Sequence, residues 1–315
     1  MAVVSILLVW QLHLAKQHIR IPYLSAAFSL LPIVMVLWAG VSLAQLIVAG
    51  NDKPIREMWT RLRYHGPMMI LAAVIFPLFL AAYTICKSSI PVLVGFGWDQ
   101  ALSHADLELL DTDAWRLTHQ WVGPQGTAFL QTIYAIVWGV ALAFVGPLIA
   151  MIASRRFAGQ YYLAMILTWT LGGIICATLF ASAGPVFAQL SDPLVGQHFA
   201  GLQQTLARSL PPDNMIPESQ HYLLIATRDR FVIKGGGISA MPSMHVAVAS
   251  IYVLASRRTL FAGPAILFWA LVLIASVHFG YHYFVDGIAG TLVAVTCWCL
   301  SRWWFDKSHS CVRAS

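Results

Sequence analysis

The sequence predicts an all-α integral membrane protein, a polytopic bundle of transmembrane helices. Its 315 residues are 59% hydrophobic and only 10% charged, with a mean hydropathy of +0.72, whereas globular proteins carry about 25% charged residues. Several apolar runs reach the ~20 residues that a helix needs to cross a bilayer. The basic residues also cluster in alternate connecting segments, as expected for a chain that crosses the membrane repeatedly.

Seven apolar runs are candidate spans, at residues 22–49, 67–86, 127–152, 160–184, 242–256, 259–277 and 285–304. Residues 1–14 form a doubtful eighth run, which we expect to be retained because it lacks the basic leader and the small-residue cleavage site of a signal peptide. We predict two parts of the chain: N-terminal membrane helices with a basic loop (residues 1–66) and a larger membrane domain (residues 67–315). The larger domain carries two long insertions, at residues 87–126 and 185–241.

The net charge of +6 reflects topology rather than binding to nucleic acid. Eleven of the 19 basic residues lie in three short segments and the C-terminal tail, namely 50–66, 153–159, 256–258 and 302–313. The segments between the other ends of the spans, 87–126, 185–241 and 278–284, are longer in total but hold only six. By the positive-inside rule the first set is cytoplasmic. The two insertions are therefore predicted to face the periplasm or a lumen, and a bacterial inner membrane is the expected location.

Residues 99–126 of the first insertion are typical of an amphipathic helix that lies at the membrane surface. Acidic residues alternate there with leucines and with Trp115 and Trp121, and tryptophan favours the depth of the lipid headgroups. The simplest interpretation is a structural lip on the bilayer. The alternative is that Arg116 or His119 contacts a lipid headgroup.

The stretch GGGISAMPSMH, residues 235–245, is typical of an anion-binding turn that leads into a helix. Glycines such as Gly237 let the backbone approach an anion closely. We expect Pro242 at the first helical position, where it needs no N–H partner. The N-terminus of the helix then favours phosphate, with Ser243 as a further donor. His245 would lie beside the bound phosphate and could protonate a leaving oxygen.

Three basic residues just before the glycines, Arg228, Arg230 and Lys234, are the candidate cations for this site. They concentrate positive charge next to the proposed anion-binding turn. The alternative is that they extend their side chains only to lipid phosphates, as basic residues at membrane surfaces do.

A second motif, in SVHFGYHYFVDGIAG, places His282 four residues before Asp286. This spacing brings both side chains to one helical face. A carboxylate on one ring nitrogen orients the imidazole and leaves the other nitrogen free to attack phosphorus. The predicted mechanism therefore uses one histidine as nucleophile and another, His245, as acid. His278 is expected to support the site by a hydrogen bond or to lie at the membrane interface.

These residues resemble the type-2 phosphatidic acid phosphatase (PAP2) superfamily. Its second motif, P-S-G-H, is matched by residues 242–245 with Met244 in place of glycine, and the end of its third motif, H-x-x-x-D, by His282 and Asp286. The stretches HYFVDGIAG and AMPSMH are most similar to the branch that contains inositol phosphorylceramide synthase. The resemblance implies six core helices, an extracytoplasmic site, chemistry without metal or other cofactor, and a phosphohistidine intermediate. His282 would be the nucleophile, Asp286 its orienting partner, His245 the general acid and Ser243 a phosphate ligand.

Two cations of the family pattern are absent from this sequence. The first motif, K-x6-R-P, has no match, and the arginine that opens the third motif is Ser276 here. Other basic residues must therefore bind the phosphate. Arg228, Arg230 and Lys234 are the leading candidates, and Arg116 is a further one.

The substrate class implied is a lipid phosphate or a phospholipid in the bilayer; the sequence does not address the oligomeric state. Hydrolysis is the simplest reaction, and transfer of a phosphate-bearing headgroup to ceramide or another lipid alcohol is the alternative. Two other classes remain open. His278, His282 and Asp286 could run down one helix face and, with His245, bind a metal ion. A transporter could use such histidines as proton relays, although the polar groups gather at one end of the helices.

Overall fold

The computed structural model describes residues 42–211, 213–228 and 237–313, together with six positions between residues 32 and 40. Within these residues all regular secondary structure is helical, and four helices are long and apolar enough to cross a membrane. The predicted all-α polytopic fold is confirmed. The doubtful run at residues 1–14 and most of the predicted span at 22–49 lie outside the described residues.

In chain order the labelled helices are α1 (Pro54–Val94), α2 (Asp99–Leu110), α3 (Ala114–Trp121), α4 (Pro124–Ile152), α5 (Arg155–Leu179), α6 (Pro193–His198), α7 (Ala200–Ser209), α8 (Met215–Arg228), α9 (Met244–Ser256), α10 (Ala262–His278) and α11 (Phe284–Arg313). A short apolar helix, Trp38–Val48, precedes them, and a 3₁₀-helix, Pro185–Leu190, follows α5. Within α1, α4 and α5 the long helices contain π-helical stretches, at Leu71–Ile75, Thr132–Val137 and Leu171–Cys176.

Six helices, α1, α4, α5, α9, α10 and α11, form the bundle. Helix α9 is central, because it packs against α5, α10 and α11. At 13 residues it is about 20 Å long and shorter than a full span, since the residues before it are extended. We call the end of the bundle at which α9 and α11 begin and α10 ends the motif end.

The two insertions pack on each other as a cap over the motif end, formed by residues 99–121 and 185–210. Trp115, Phe199 and Leu202 are buried there in one apolar core. The expectation that residues 99–126 lie on the bilayer as one amphipathic helix differs from the structure, which has two helices and turns Trp115 inward against Gly201. Trp121, in contrast, is mostly exposed.

The start of α9 differs from the sequence-based expectation by two residues. The helix begins at Met244, and Ser243 precedes it with extended backbone (φ −68°, ψ 108°). Pro242 is therefore outside the helix, and it follows a cis peptide bond. Ser243 is the N-cap residue: its carbonyl oxygen accepts the first helical hydrogen bond, from the N–H of Ala247 at 3.0 Å, and its own N–H donates to the carbonyl oxygen of Asp286 at 3.0 Å.

Helices α9 and α11 approach so closely that only glycine fits at one position. A Cβ on Gly290 would lie 2.4 Å from the carbonyl oxygen of Ser243, and this neighbour is backbone that cannot rotate away. The contact lies one turn into α11 from Asp286, which accepts the Ser243 N–H. The backbones of the two motifs are therefore in direct contact.

Replacing Gly290 by alanine is expected to separate α9 from α11 and to cost about 1–3 kcal/mol of stability, the usual cost of overpacking. The control is Gly139→Ala in α4, where an added Cβ meets nothing within 4 Å, and where alanine is favoured over glycine by up to about 1 kcal/mol. Thermal unfolding of both variants in detergent measures the difference. Equal melting temperatures for the two variants would contradict the close contact.

Candidate active site

The two histidine motifs meet at the motif end of the bundle. His245 lies in the first turn of α9, and His282 lies in the turn between α10 and α11. Their ring centroids are 6.5 Å apart. Two imidazoles at this distance can both contact one phosphoryl group. The structure thus brings together the pair that the sequence predicts as nucleophile and acid.

The imidazole of His282 is fixed by two oxygen atoms on one side. Its Nδ1 is 2.8 Å from the carbonyl oxygen of Ala240 and 3.5 Å from Oδ2 of Asp286. A carbonyl oxygen only accepts, so Nδ1 carries the proton and donates to it, which leaves the lone pair on Nε2. The shorter contact is to Ala240, whose own N–H donates to the carbonyl oxygen of Ser182. Asp286 was the expected orienting partner, and its Oδ2 also accepts from the N–H of Tyr283 at 2.9 Å.

The protonation state of His282 suits an attacking group. Burial, followed by the charge of Lys87, lowers the pKa of His282 to about 3, although the hydrogen bond to Ala240 acts in the opposite direction. The imidazole is therefore neutral around pH 7. A neutral ring with a free Nε2 lone pair is the nucleophilic form.

Lys87 in α1 is a site residue that the sequence analysis missed as a candidate. Its ammonium is close enough to His245 and His282 for its charge to act on both. Gly237 packs directly on this part of α1, since an added Cβ would lie 2.9 Å from Cα of Ser88 and 3.2 Å from the carbonyl oxygen of Lys87. The available signal was a lysine inside an apolar run, because ionisable residues there are rare and usually functional.

His245 is held between aromatic rings from α4. Tyr134 stacks on it at 4.4 Å with an interplanar angle of 16°, and Trp138 lies 4.0 Å away on a tilted plane. The indole N–H of Trp138 also donates to the carbonyl oxygen of His245. Tyr281, next to His282, stacks on Tyr134 at 5.6 Å. Two rings of α4 therefore restrict the imidazole, and Tyr281 packs against one of them.

Two polar atoms of the motifs are buried without a hydrogen-bond partner among the described residues. They are Oγ of Ser243 and Oδ1 of Asp286. Ser243 is fully buried, and its N–H is already bound to Asp286. Unpartnered buried polar groups cost free energy, so these two atoms call for an explanation in terms of the site.

The basic residues predicted from the sequence lie in different places. Arg228 is exposed at the end of α8, and Arg230 and Lys234 lie outside the described residues. Arg116 is half-exposed, donates to Asp113 and lies over the ring of Trp115. These two contacts are with other residues of the cap.

His278 belongs to a separate polar group beside the site. Its Nε2 is 3.0 Å from Oγ1 of Thr127, its Nδ1 is 3.2 Å from Oγ1 of Thr118, and His119 stacks on its ring at 3.9 Å. The single helix face expected for His278, His282 and Asp286 is not formed, because α10 ends at His278 and the chain turns at Gly280 (φ +70°). In the described ranges no cluster of three His, Cys, Asp or Glu residues is arranged to hold a metal ion.

Comparison with known proteins identifies the family. The family model described as PAP2 superfamily matches residues 100–300, which is more than half of the chain and includes the cap and both histidine motifs. Comparison with curated proteins gave no match, and comparison with solved structures gave none either. From the extent of the family match and the motifs inside it, the chain belongs to the PAP2 superfamily.

Proposed function

We propose that the protein is a membrane phosphatase/phosphotransferase that cleaves a lipid phosphate ester through a phosphohistidine on His282. Membership of the PAP2 superfamily supports an enzyme of the phosphatase or phosphotransferase type. The observation that carries the mechanism is the hydrogen bond from His282 Nδ1 to the carbonyl oxygen of Ala240. It leaves Nε2 as the reactive atom, beside the second histidine.

In the first step Nε2 of His282 attacks phosphorus, and the bond between phosphorus and the leaving alcohol oxygen breaks. The leaving oxygen takes the electron pair and receives a proton from His245 in its protonated form. In the second step a water oxygen attacks the phosphohistidine, His245 accepts a proton from that water, and the P–N bond breaks. Phosphate and the free imidazole of His282 are the products.

The phosphoryl group would be bound by the charge of Lys87 and by the start of α9. Lys87 supplies a cation in a chain that lacks the two cations of the family pattern. The free N–H groups in the first turn of α9 favour an anion. The Ser243 hydroxyl, buried without a partner among the described residues, would donate to a phosphoryl oxygen. Gly237 lets the preceding backbone lie against Lys87.

Transfer shares the first step and differs only in the attacking group. A lipid hydroxyl, such as that of ceramide, would replace water in the second step, as in the inositol phosphorylceramide synthase branch that the motifs resemble. By the charge distribution of the connecting segments, the site would face the periplasm or a lumen. Incubation of the purified protein with labelled phosphatidic acid or phosphatidylinositol, with and without ceramide, separates hydrolysis from transfer by the products formed.

His282→Ala is expected to lower phosphate release from dioctanoyl phosphatidic acid by more than about a thousandfold, because no attacking atom remains. Thermal unfolding confirms that the variant is folded. Retention of more than about a tenth of the activity would exclude His282 as the nucleophile.

His245→Asn is expected to show a loss that depends on the leaving group. The loss should be at least about a hundredfold for phosphatidic acid, whose alcohol needs a proton, and much smaller for p-nitrophenyl phosphate, whose phenolate leaves without one. Ratios of kcat/KM for both substrates test this role. An equal loss for both substrates would contradict general-acid catalysis by His245.

Lys87→Met is expected to lower kcat/KM by about a hundredfold, because a methionine of similar length removes the charge that stabilises the phosphoryl group. Arg228→Ala, Arg230→Ala and Lys234→Ala are measured in parallel, because they test the cations chosen from the sequence. A normal kcat/KM in Lys87→Met together with a large loss in one of the other three would move the phosphate-binding cation to that residue.

A further inference from the structure

We propose that Asp106 in the cap is a positioning residue that holds the turn bearing His282. Its carboxylate accepts hydrogen bonds from two successive backbone N–H groups, those of Phe284 and Val285, at 2.8 and 2.9 Å. These are the first residues of α11, and they follow His282 by two and three positions. The inference rests on the proposed role of His282.

Asp106 accepts hydrogen bonds with both carboxylate oxygens, and the residue is buried. Oδ2 accepts from Phe284, Oδ1 accepts from Val285, and the residue is only 4% exposed. The first N–H groups of a helix have no partner inside the helix, and a carboxylate at this end is also favoured by the helix dipole. One side chain of α2 therefore fixes both the position and the direction of the start of α11.

The same turn is held by two further aspartates. Asp286 accepts from the N–H of Tyr283, so that the three amides following His282 are all bound by carboxylates. Asp99, seven residues before Asp106 on α2, accepts from the hydroxyl of Tyr283 at 3.1 Å. It also accepts from the N–H groups of Ala183 and Gly184. Helix α2 thus spans the site, with Asp99 holding a neighbouring turn and Asp106 holding the turn that carries the nucleophile.

The position of His282 depends on this turn as well as on the two oxygen atoms that its ring contacts. Its Nδ1 bonds to Ala240, which belongs to a different segment. A shift of α11 relative to that segment would move the ring against the carbonyl oxygen that sets its tautomer. Displacement of a reacting group by about 1 Å can cost on the order of a hundredfold in rate.

The charge state of Asp106 makes this role visible in the pH profile. Burial, opposed by the bonds from Phe284 and Val285 and assisted by the charges of Asp286 and Asp113, raises the pKa of Asp106 to about 6. A small cavity that Asp106 lines is also bounded by His282, Tyr283 and Asp113. Protonation converts one of the two accepting oxygens to a hydroxyl and weakens the hydrogen bonds from the two backbone N–H groups. Activity that depends on Asp106 is therefore lost as the pH falls through about 6.

The sign of the linkage separates this loss from unfolding. Because the pKa of Asp106 is raised above its ordinary value, the folded protein binds this proton more readily than the unfolded chain. Ionised Asp106 lowers stability by an amount that is full above about pH 6 and that disappears as the pH falls from about 6 to the unfolded pKa. Titration of Asp106 therefore does not by itself unfold the protein in this window, and thermal unfolding at the same pH values checks that a decrease in kcat is not loss of the fold.

The test compares Asp106→Asn with the wild type on p-nitrophenyl phosphate across about pH 4.5 to 8. The variant keeps one accepting oxygen and presents an NH2 group to the other backbone N–H. We expect kcat to fall by at least about tenfold with little change in KM. The acid limb of the wild-type profile, meaning the decrease in kcat as the pH falls through about 6, should lack the part that Asp106 causes. The same substrate is used for both proteins, so its own titration cancels. Unchanged kcat and an unchanged pH profile in the folded variant would overturn the proposal.

The matched control is Asp192→Asn, an aspartate of the same cap whose Oδ1 accepts from the N–H groups of Leu194 and Val195 at the start of α6 instead of the turn amides. It is expected to keep the wild-type acid limb. Asp106→Glu provides a second variant if the asparagine variant does not fold: it should lower kcat but retain the limb. A wild-type kcat in folded Asp106→Glu would refute the positioning role. An active His282→Ala would instead refute the proposed function on which it rests.

Discussion

The contact between the backbones that begin α9 and α11 is the constraint on which the rest of the site depends. The Ser243 N–H donates to the carbonyl oxygen of Asp286, and Gly290 allows the two chains to meet without an intervening side chain. A residue with a larger side chain at position 290 would hold the helices apart and separate the two histidines. The contact also ties the start of α9 to α11, since the residue before the first turn of α9 bonds across to α11.

Around this contact, the imidazoles are fixed by elements that come from distant parts of the chain. Aromatic rings of α4 hold His245, and the carbonyl oxygen of Ala240 holds His282. The surroundings are mostly buried, and charge interactions are strong where water is excluded. A single lysine can therefore influence both histidines, and a change in one carboxylate can alter the turn beside His282. Such a site depends on a few charged groups in accurate positions.

The sequence was sufficient for features that depend on local pattern. Apolar runs predicted the helical bundle, and the spacing of residues 242–245 and 282–286 predicted which histidines come together. Other features depend on contacts that local pattern does not contain. Trp115 was expected at the bilayer surface but is buried by Gly201 of the other insertion, and Gly280 turns the chain so that His278 faces two threonines. The sequence does not distinguish Asp106 from other acidic residues, because the two amides that it binds belong to α11, far along the chain.

The hydrogen bonds of α2 to the turn before α11 have a consequence for biogenesis. Helix α2 is synthesised long before Phe284 and Val285, and its buried carboxylate can acquire those amides only when the last helix arrives. A buried carboxylate without such bonds is costly, so the cap cannot reach its final packing around a nascent chain that lacks α11. Insertion of the last helix and completion of the candidate site are thus expected to be one event. A chain that ends before α11 would leave the Asp106 carboxylate without its two amide partners.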